Sequence, residues 1–108
     1  MLEELDELFL NRTRLGIMSI LVAIKEAEFS WIQEELQCTS GNLSIQLQKL
    51  QEAGYIEIEK KFRDKYPLTL CKITKKGIQA FEKHFENLNK YRKFKKNKKY
   101  ENKSDKNI

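Results

Sequence analysis

The sequence predicts a mainly α-helical fold with one small β-hairpin, an α+β fold in the order α-α-(short β)-α-α-β-β-α. Two helical segments, 31–36 and 40–53, are separated by a turn too short to hold another element. Directly after Gly54, the apolar spacing changes from the helical period of about 3.6 residues to the strand period of two. A last helical pattern begins at residue 75, so the hairpin lies between helices.

The composition indicates a single domain, 1–91, followed by a tail, 92–108. A chain of 108 residues can bury a modest core. No apolar run approaches the ~18 residues of a membrane-spanning helix, and the acidic N-terminus does not resemble a signal peptide. We therefore expect a cytoplasmic protein with no membrane association.

The charge is unevenly distributed. The first ten residues hold four acids and no base, whereas 90–99 hold seven cations and no acid. Aromatic residues interrupt this basic run at Tyr91, Phe94 and Tyr100, a composition that fits a polyanionic partner. A solubilising, disordered tail explains it equally well, and we expect 92–108 to be basic and disordered.

Two helices are expected before residue 28. Segment 2–10 has apolar residues at helical spacing, but a helix this short is marginal unless other contacts hold it. The second helix starts at Asn11 or Thr13 and runs to about Ala27. It is apolar over more than one face, so it lies centrally in the core or is shared with a partner chain.

A tight helical pair is expected next. Phe29 and Ser30 form a very short strand, and Ser30 then caps helix 31–36, with Gln33 completing a capping box. Gln37 and Cys38 make the turn to the next helix. A helix, a tight turn and a second helix form a helix-turn-helix motif.

The second helix of this motif, 40–53, is strongly amphipathic. Thr39 is predicted to cap it by accepting from the amide of Asn42, and Gly54 to end it in the left-handed conformation. Its apolar stripe consists of Leu43, Leu47, Leu50 and Ala53. The opposite face carries small, neutral or amide side chains and one cation: Ser40, Gly41, Asn42, Ser44, Ile45, Gln48 and Lys49. Such a face suits close approach to base edges, although an ordinary surface helix has a similar pattern.

Alternation predicts a hairpin after Gly54. The first strand, 55–62, places Ile56 and Ile58 on one face, with Lys60 as a further candidate. Residues 63–67 are expected to form the loop. The returning strand, 68–74, has two faces, of which we favour the one with Cys71 and Ile73 for the core.

The last helix is predicted from residue 75 to about Tyr91, with Thr74 as its cap. Gly77 near its start costs ~1 kcal/mol relative to Ala, so a packing reason is expected. Its apolar stripe consists of Ile78, Phe81, Phe85 and Leu88.

The segments 41–62 (GNLSIQLQKLQEAGYIEIEKKF) and 68–84 (LTLCKITKKGIQAFEKH) resemble two signatures of small winged-helix transcriptional regulators related to the MarR and ArsR families. The first resembles x-N-L-S-x-H-L-x-K-L-E-x-A-G-Y-V, and the second resembles T-x-Y-x-L-T-x-x-G-x-x-A-F. The resemblance covers about 11–88. It implies a DNA-binding, non-enzymatic repressor with helix 40–53 in the major groove and a wing, 60–67, on the backbone and minor groove.

The resemblance also implies site residues. Base or phosphate contacts of the recognition helix would come from Thr39, Ser40, Asn42, Ser44, Ile45, Gln48 and Lys49. Phosphate contacts of the wing would come from Lys60, Lys61, Arg63 and Lys65, with Arg63 the best minor-groove candidate. A homodimer is implied, with an interface drawn from the first and last helices: Leu2, Leu5, Leu8, Phe9, Phe81, Phe85, Leu88 and Tyr91.

The recognition helix departs from the family pattern at one point. Where many relatives have His or Arg, it has Ile45 and Gln46, so guanine readout by arginine is missing. Either the operator is A/T-rich, or affinity comes mainly from the wing and tail.

The sequence gives little indication of catalytic, metal-binding or redox chemistry. The single histidine, His84, and the cysteines Cys38 and Cys71 lack clustered ligand spacing, so no metal, cofactor or sensor site is expected and the thiols should be reduced. No phosphate loop, nucleophile elbow or paired-carboxylate motif is present. A small effector in the dimer interface, as in MarR relatives, is left open. The alternative functions are a protein-interaction module and a non-specific nucleic-acid binder that uses the tail.

Overall fold

The computed structural model describes residues 2–95 and contains four α-helices and a three-stranded sheet in that range. After a 3-10 turn at Glu7–Phe9, the elements are α1 (Arg12–Ile24), β1 (Glu26–Glu28), α2 (Phe29–Leu36), α3 (Ser40–Glu52), β2 (Ile56–Arg63), β3 (Tyr66–Ile73) and α4 (Lys75–Arg92). The strands are antiparallel in the order β1-β3-β2. The predicted fold class is confirmed. From residue 96 onward, the predicted tail lies outside the described residues.

The N-terminal segment, defined here as 2–10, is one 3-10 turn and not the predicted helix. Asp6 caps this turn by accepting from the amide of Leu8 at 3.0 Å. Its other carboxylate oxygen accepts from the hydroxyl of Tyr55 at 2.5 Å. Burial and the bond to Asp6 raise the pKa of Tyr55 to about 12. A segment this short gains more from such contacts with other elements than from a single helical turn of its own.

The boundary between α1 and α2 differs from the prediction. Helix α1 starts at its predicted cap, Asn11, but ends at Ile24, because Lys25 takes a φ of 77° and leads into a strand. That strand is Glu26–Glu28, not 29–30, and it places Ala27 in the core opposite Cys71 of β3.

Helix α2 therefore starts at Phe29, one residue before the predicted cap. Glu28 occupies the cap position in an extended conformation and makes no side-chain cap bond, so the capping box of Ser30 and Gln33 is wrong. The pairing of β1 with β3 determines this boundary. A three-residue strand has no periodicity of its own from which to predict it.

The hairpin turn is shorter than predicted. Only Asp64 and Lys65 lie outside the strands, and the register runs from the pair Arg63–Tyr66 to the pair Ile56–Ile73. Asp64 takes a φ of 58°, a conformation that Asp tolerates in tight turns. Pro67 lies inside β3 in a stretch that has β2 alone as a neighbour, since β1 reaches only Leu70.

The core draws on the N-terminal turn, α1 to α3 and the three strands, and α4 packs against it through the partly buried Ala80 and Phe81. Its buried apolar side chains are Phe9, Ile17, Met18, Leu21, Ala27, Ile32, Leu43, Leu47, Leu50, Ile56 and Cys71. Cys71 is fully buried, and Ile58 and Ile73 pack against this cluster, so the predicted inward faces of both hairpin strands are confirmed.

Helix α4 packs through a narrow face. The hydroxyl of Thr74 accepts from the amide of Gly77 at 3.0 Å, which confirms the predicted cap. A Cβ at Gly77 would lie 2.2 Å from the carbonyl oxygen of Tyr55, so the expected packing reason for this glycine is present. On this helix, Gly77, His84 and Asn87 are the buried residues.

Candidate nucleic-acid interface

Helix α3 is held so that one face points outward. The hydroxyl of Thr39 accepts from the amide of Asn42 at 3.1 Å, and Gly54 takes a φ of 80° just beyond the helix, as predicted. Three leucines of the apolar stripe, Leu43, Leu47 and Leu50, are buried at 2 % exposure or less. Their burial fixes which side chains remain on the surface.

The exposed face of α3 is small and weakly charged. Its members are Ser40, Gly41, Ser44, Ile45, Gln48 and Lys49. Ile45 is 56 % exposed, an unusual position for a β-branched apolar side chain in the middle of a surface helix. Gln48 donates to Glu52 one turn later at 3.3 Å, a contact on the surface that a ligand can displace. The face therefore offers hydroxyl, amide and methyl groups.

Asn42 does not belong to this exposed face, although it was predicted among the DNA contacts. It is half-buried, its amide nitrogen donates to the hydroxyl of Thr13, and its amide oxygen accepts from Gln46. Gln46 is 8 % exposed and also accepts from Arg14. Both amides are thus engaged between α3 and α1, and the side chain of Asn42 is directed toward α1 and not toward the exposed face.

The wing, 60–67, carries four exposed cations. Lys60 donates to Thr69 at 3.1 Å, Lys61 lies 3.3 Å from Glu59, and Lys65 lies in the turn. Arg63 forms an ion pair with Glu28 at the start of α2. The predicted minor-groove arginine is therefore held by an acid of its own chain in this structure.

Two aromatic side chains at the wing were missed from the sequence. Phe62 and Tyr66 are 74 % and 77 % exposed, and both lie among the wing cations. Strand alternation gave Phe62 as an ordinary sheet position, and Tyr66 was expected in the loop. The signal that could have identified them is the length of the hairpin, since its far end extends beyond the core.

The outward face of the sheet is internally neutralised. Lys72 lies 2.9 Å from Glu59 and 3.8 Å from Glu26. The hydrogen bonds from Lys72 and then Lys61 lower the pKa of Glu59, and the bond to Glu59 raises the pKa of Lys72. These pairs leave excess positive charge at the tip of the wing.

The predicted dimer residues separate into two groups. Leu2, Phe85, Leu88 and Tyr91 are exposed at 38–40 %. By contrast, Leu5 is half-buried, Leu8 and Phe81 pack partly against the core, and Phe9 is only 2 % exposed. Phe9 stacks on Tyr55 and also contacts His84 and Phe81. Phe9 is therefore already in the core of the single chain and has little surface left for an interface.

The residues considered for sensing are dispersed. Burial raises the pKa of the Cys71 thiol to about 11, and Cys38 is half-buried in the turn before α3. Burial lowers the pKa of His84, partly offset by the charge of Asp6. In the part of the chain that the structure covers, no three His, Cys, Asp or Glu residues are grouped as metal ligands. Among the same residues, no helix is long and apolar enough to cross a bilayer.

The geometry is that of a winged helix: a helix-turn-helix followed by a two-stranded wing, with an outward helix and a basic tip. The family model for a winged helix DNA-binding domain matches residues 13–92. The chain belongs to this family, which is one of DNA-binding domains and not of enzymes.

Particular relatives agree with this assignment. The chain is similar to an uncharacterised protein of Methanocaldococcus jannaschii, with 35 % identity over 78 residues that span 72 % of this chain and 85 % of the relative. It is also similar to a transcriptional regulator homologue from Pyrococcus horikoshii OT3, with 32 % identity, 78 % and 83 % coverage of the two chains and a TM-score of 0.73.

A more distant structure shares the fold alone. A MarR variant from E. coli, solved with operator DNA, is 18 % identical, covers 73 % of this chain and 54 % of its own, and has a TM-score of 0.61. The winged-helix DNA-binding domain predicted from the two sequence signatures is confirmed by the family model.

Proposed function

We propose that this chain is a homodimeric, sequence-specific repressor of transcription that binds double-stranded DNA. In this proposal, α3 of each protomer enters a major groove and the wing lies on the backbone and minor groove. Two such helices reach successive major grooves about 34 Å apart. Repression needs only occupancy, because a bound dimer excludes polymerase from the same DNA.

The observation that carries the proposal is the exposed face of α3. Ile45 suits contact with a thymine methyl group, and Gln48 can pair with adenine in the major groove. Thr39 and Ser40 at the helix start, together with Lys49, suit phosphate. Since this face carries no arginine, the operator core should be A/T-rich.

The exposed apolar residues of α4 favour the dimer. Phe85, Leu88 and Tyr91 lie near the C-terminal end of α4 and are exposed. Leu2 is close to them in the chain that is attached there, because the hydroxyl of Tyr91 donates to the carbonyl of the neighbouring Glu3 at 2.6 Å. In a two-fold dimer this patch faces its own copy, so each apolar residue contributes to the interface once from each protomer.

The test is fluorescence anisotropy of the full chain on DNA upstream of its own gene and on a scrambled duplex, across a salt series. If Lys49 and the four wing cations of each protomer all meet phosphates, the slope of log K against log salt approaches about −9. A preference for the upstream DNA with a steep slope supports the proposal. Equal binding to both duplexes contradicts specificity, and a flat slope indicates a protein-interaction module.

Matched variants separate the two kinds of contact. Gln48→Ala should lower affinity for the preferred duplex while leaving scrambled DNA unchanged, because it removes a base contact. Lys65→Ala should weaken both duplexes equally and reduce the salt slope, because it removes a phosphate contact. A chain ending at Lys95 keeps every described element. If that chain loses all binding, the tail is the nucleic-acid-binding part.

A further inference from the structure

A polar network crosses the junction between α1 and α3. Arg14, in the first turn of α1, donates from Nε to the carbonyl of Leu8 at 2.8 Å and from Nη1 to Oε1 of Gln46 at 2.5 Å. Its Nη2 donates to the carbonyl of Glu7 at 3.4 Å. One guanidinium therefore joins the N-terminal segment, α1 and α3.

The network continues along α3 and returns to α1. Nε2 of Gln46 donates to Oδ1 of Asn42 at 3.0 Å, and Nδ2 of Asn42 donates to the hydroxyl of Thr13 at 3.2 Å. Each of the two amides uses its oxygen as an acceptor and its nitrogen as a donor, so the orientation of each is defined. Gln46 is only 8 % exposed, and an unpaired amide at such a buried position would be costly.

We propose that Arg14 and Gln46 are the positioning residues of the recognition helix. They set the rotation of α3 about its own axis and tie that rotation to the N-terminal segment. Neither residue contacts DNA in this inference, and Asn42 acts with them and not as a base reader. The inference rests on the proposed function, since it concerns how the exposed face of α3 is presented.

Rotation is the motion that matters for base readout. Side-chain tips lie about 5–6 Å from a helix axis, so a rotation of about 20° moves Ile45 and Gln48 by about 2 Å. Base-edge hydrogen bonds need placement within about 0.5 Å. A leucine stripe resists separation of two helices more than it resists a small rotation, because apolar contacts are not directional. Hydrogen bonds that cross from α3 to α1 oppose that rotation directly.

The N-terminal segment is attached to α3 at a second point. Tyr55, just beyond the end of α3, donates to Asp6, while Arg14 holds Glu7 and Leu8 beside the middle of the helix. The same segment reaches α4 through Glu3, which lies 3.5 Å from Lys90. The segment thus lies between the exposed end of α4 and both attachment points of the recognition helix.

The test compares Gln46→Met with Gln79→Met in the full chain. Gln79 is exposed on α4, so it supplies the same chemical change away from the network. The probes are a duplex selected from a random pool by the wild-type protein and a scrambled duplex. We expect Gln46→Met to reduce the ratio of the two affinities at least tenfold, with scrambled-DNA affinity and salt slope unchanged. Gln79→Met should leave the ratio at the wild-type value.

A rescue variant keeps the inference testable if Gln46→Met unfolds. Gln46→Glu can still accept from Arg14, and Asn42 can turn its amide to donate to the new carboxylate and accept from Thr13. This variant should restore the affinity ratio. In an NMR spectrum of the DNA-free protein, the Nη1 protons of Arg14, which donate to Gln46, should exchange slowly in wild type and in Gln46→Glu, and rapidly in Gln46→Met.

The outcomes separate the inference from the proposed function. A wild-type protein with no preference for the selected duplex contradicts the proposed function. A wild-type preference that Gln46→Met retains overturns the positioning role. A parallel loss of affinity for both duplexes in Gln46→Met, with a lowered melting temperature, also overturns it, because that pattern indicates general destabilisation. An affinity ratio that Gln46→Glu fails to restore overturns it as well.

Discussion

Gly77→Ala tests the contact between α4 and the residue that follows the recognition helix. Gly77 has ordinary helical backbone, so helix propensity alone predicts a gain of up to about 1 kcal/mol for alanine. The new Cβ would lie 2.2 Å from the carbonyl oxygen of Tyr55 and 3.0 Å from its carbonyl carbon. Backbone atoms cannot rotate away, so α4 and the start of β2 must separate by about 1 Å.

The cost of that separation exceeds the gain in propensity. Overpacking of a well-packed site costs about 1–3 kcal/mol. The carbonyl of Tyr55 also accepts from the amide of Thr74 at 3.1 Å, and loss of that bond costs about 1 kcal/mol. We therefore expect a net loss of about 2 kcal/mol in the free energy of unfolding, or about 10 °C in melting temperature.

Two other glycines provide matched controls in a thermal and urea unfolding series. A Cβ at Gly41 meets nothing within 4 Å, so Gly41→Ala should leave stability unchanged or raise it slightly. A Cβ at Gly16 meets the flexible end of Leu36 at 2.6 Å, so Gly16→Ala should fall between the other two. If Gly77→Ala is as stable as Gly41→Ala, the packing argument for α4 is refuted.

Three further predictions concern single side chains. Glu28→Gln should raise DNA affinity up to about fivefold in anisotropy titrations, because its loss of charge releases Arg63 from the ion pair. The limit follows because an exposed ion pair is worth at most about 1 kcal/mol. An equal gain in affinity in Glu34→Gln would contradict this explanation. Burial lowers the pKa of His84 in the folded state. The neutral imidazole therefore contributes fully to stability above the pKa of the unfolded state, near 6.5, and this contribution is lost as the pH falls through the lower pKa of the folded state. His84→Gln should flatten that acid limb of a stability–pH curve, and an unchanged slope would exclude His84 as its source. In a thiol-labelling assay at pH 8, Cys38 should react well before Cys71, whose pKa of about 11 and burial suppress the thiolate; equal rates would show that the core opens readily.

Periodicity predicted the elements whose patterns are long enough to be unambiguous. Helix α3 has a stripe of leucines, a capping Thr39 and a terminal Gly54, and all three signals agree with the structure. The hairpin strands alternate over eight residues each, which is sufficient to identify Cys71 and Ile73 as inward. These elements carry the exposed face of α3 and the wing, so the outline of the candidate interface could be predicted as well.

The errors share a different physical origin. Strand β1 exists because Ala27 fits beside Cys71 on β3, a tertiary contact that three residues of sequence cannot reveal. Asn42 lies on the polar side of α3 by sequence, yet its amide is engaged by Thr13 and Gln46. Helical spacing gives the direction of a side chain, but it does not indicate which neighbouring element is close enough to bind it.

Helix α4 shows how this distinction bears on assembly. The sequence predicts one apolar stripe on this helix, Ile78, Phe81, Phe85 and Leu88, and also draws dimer-interface residues from it. The structure instead turns Gly77, His84 and Asn87 inward, because the close approach of Gly77 to Tyr55 fixes the rotation of the helix. Phe85, Leu88 and Tyr91 are then left at the surface although they are the larger apolar side chains. A core that accepts an imidazole and an amide while leaving these residues in water is costly for a monomer, and the proposed dimer would remove that cost by covering them with a second copy.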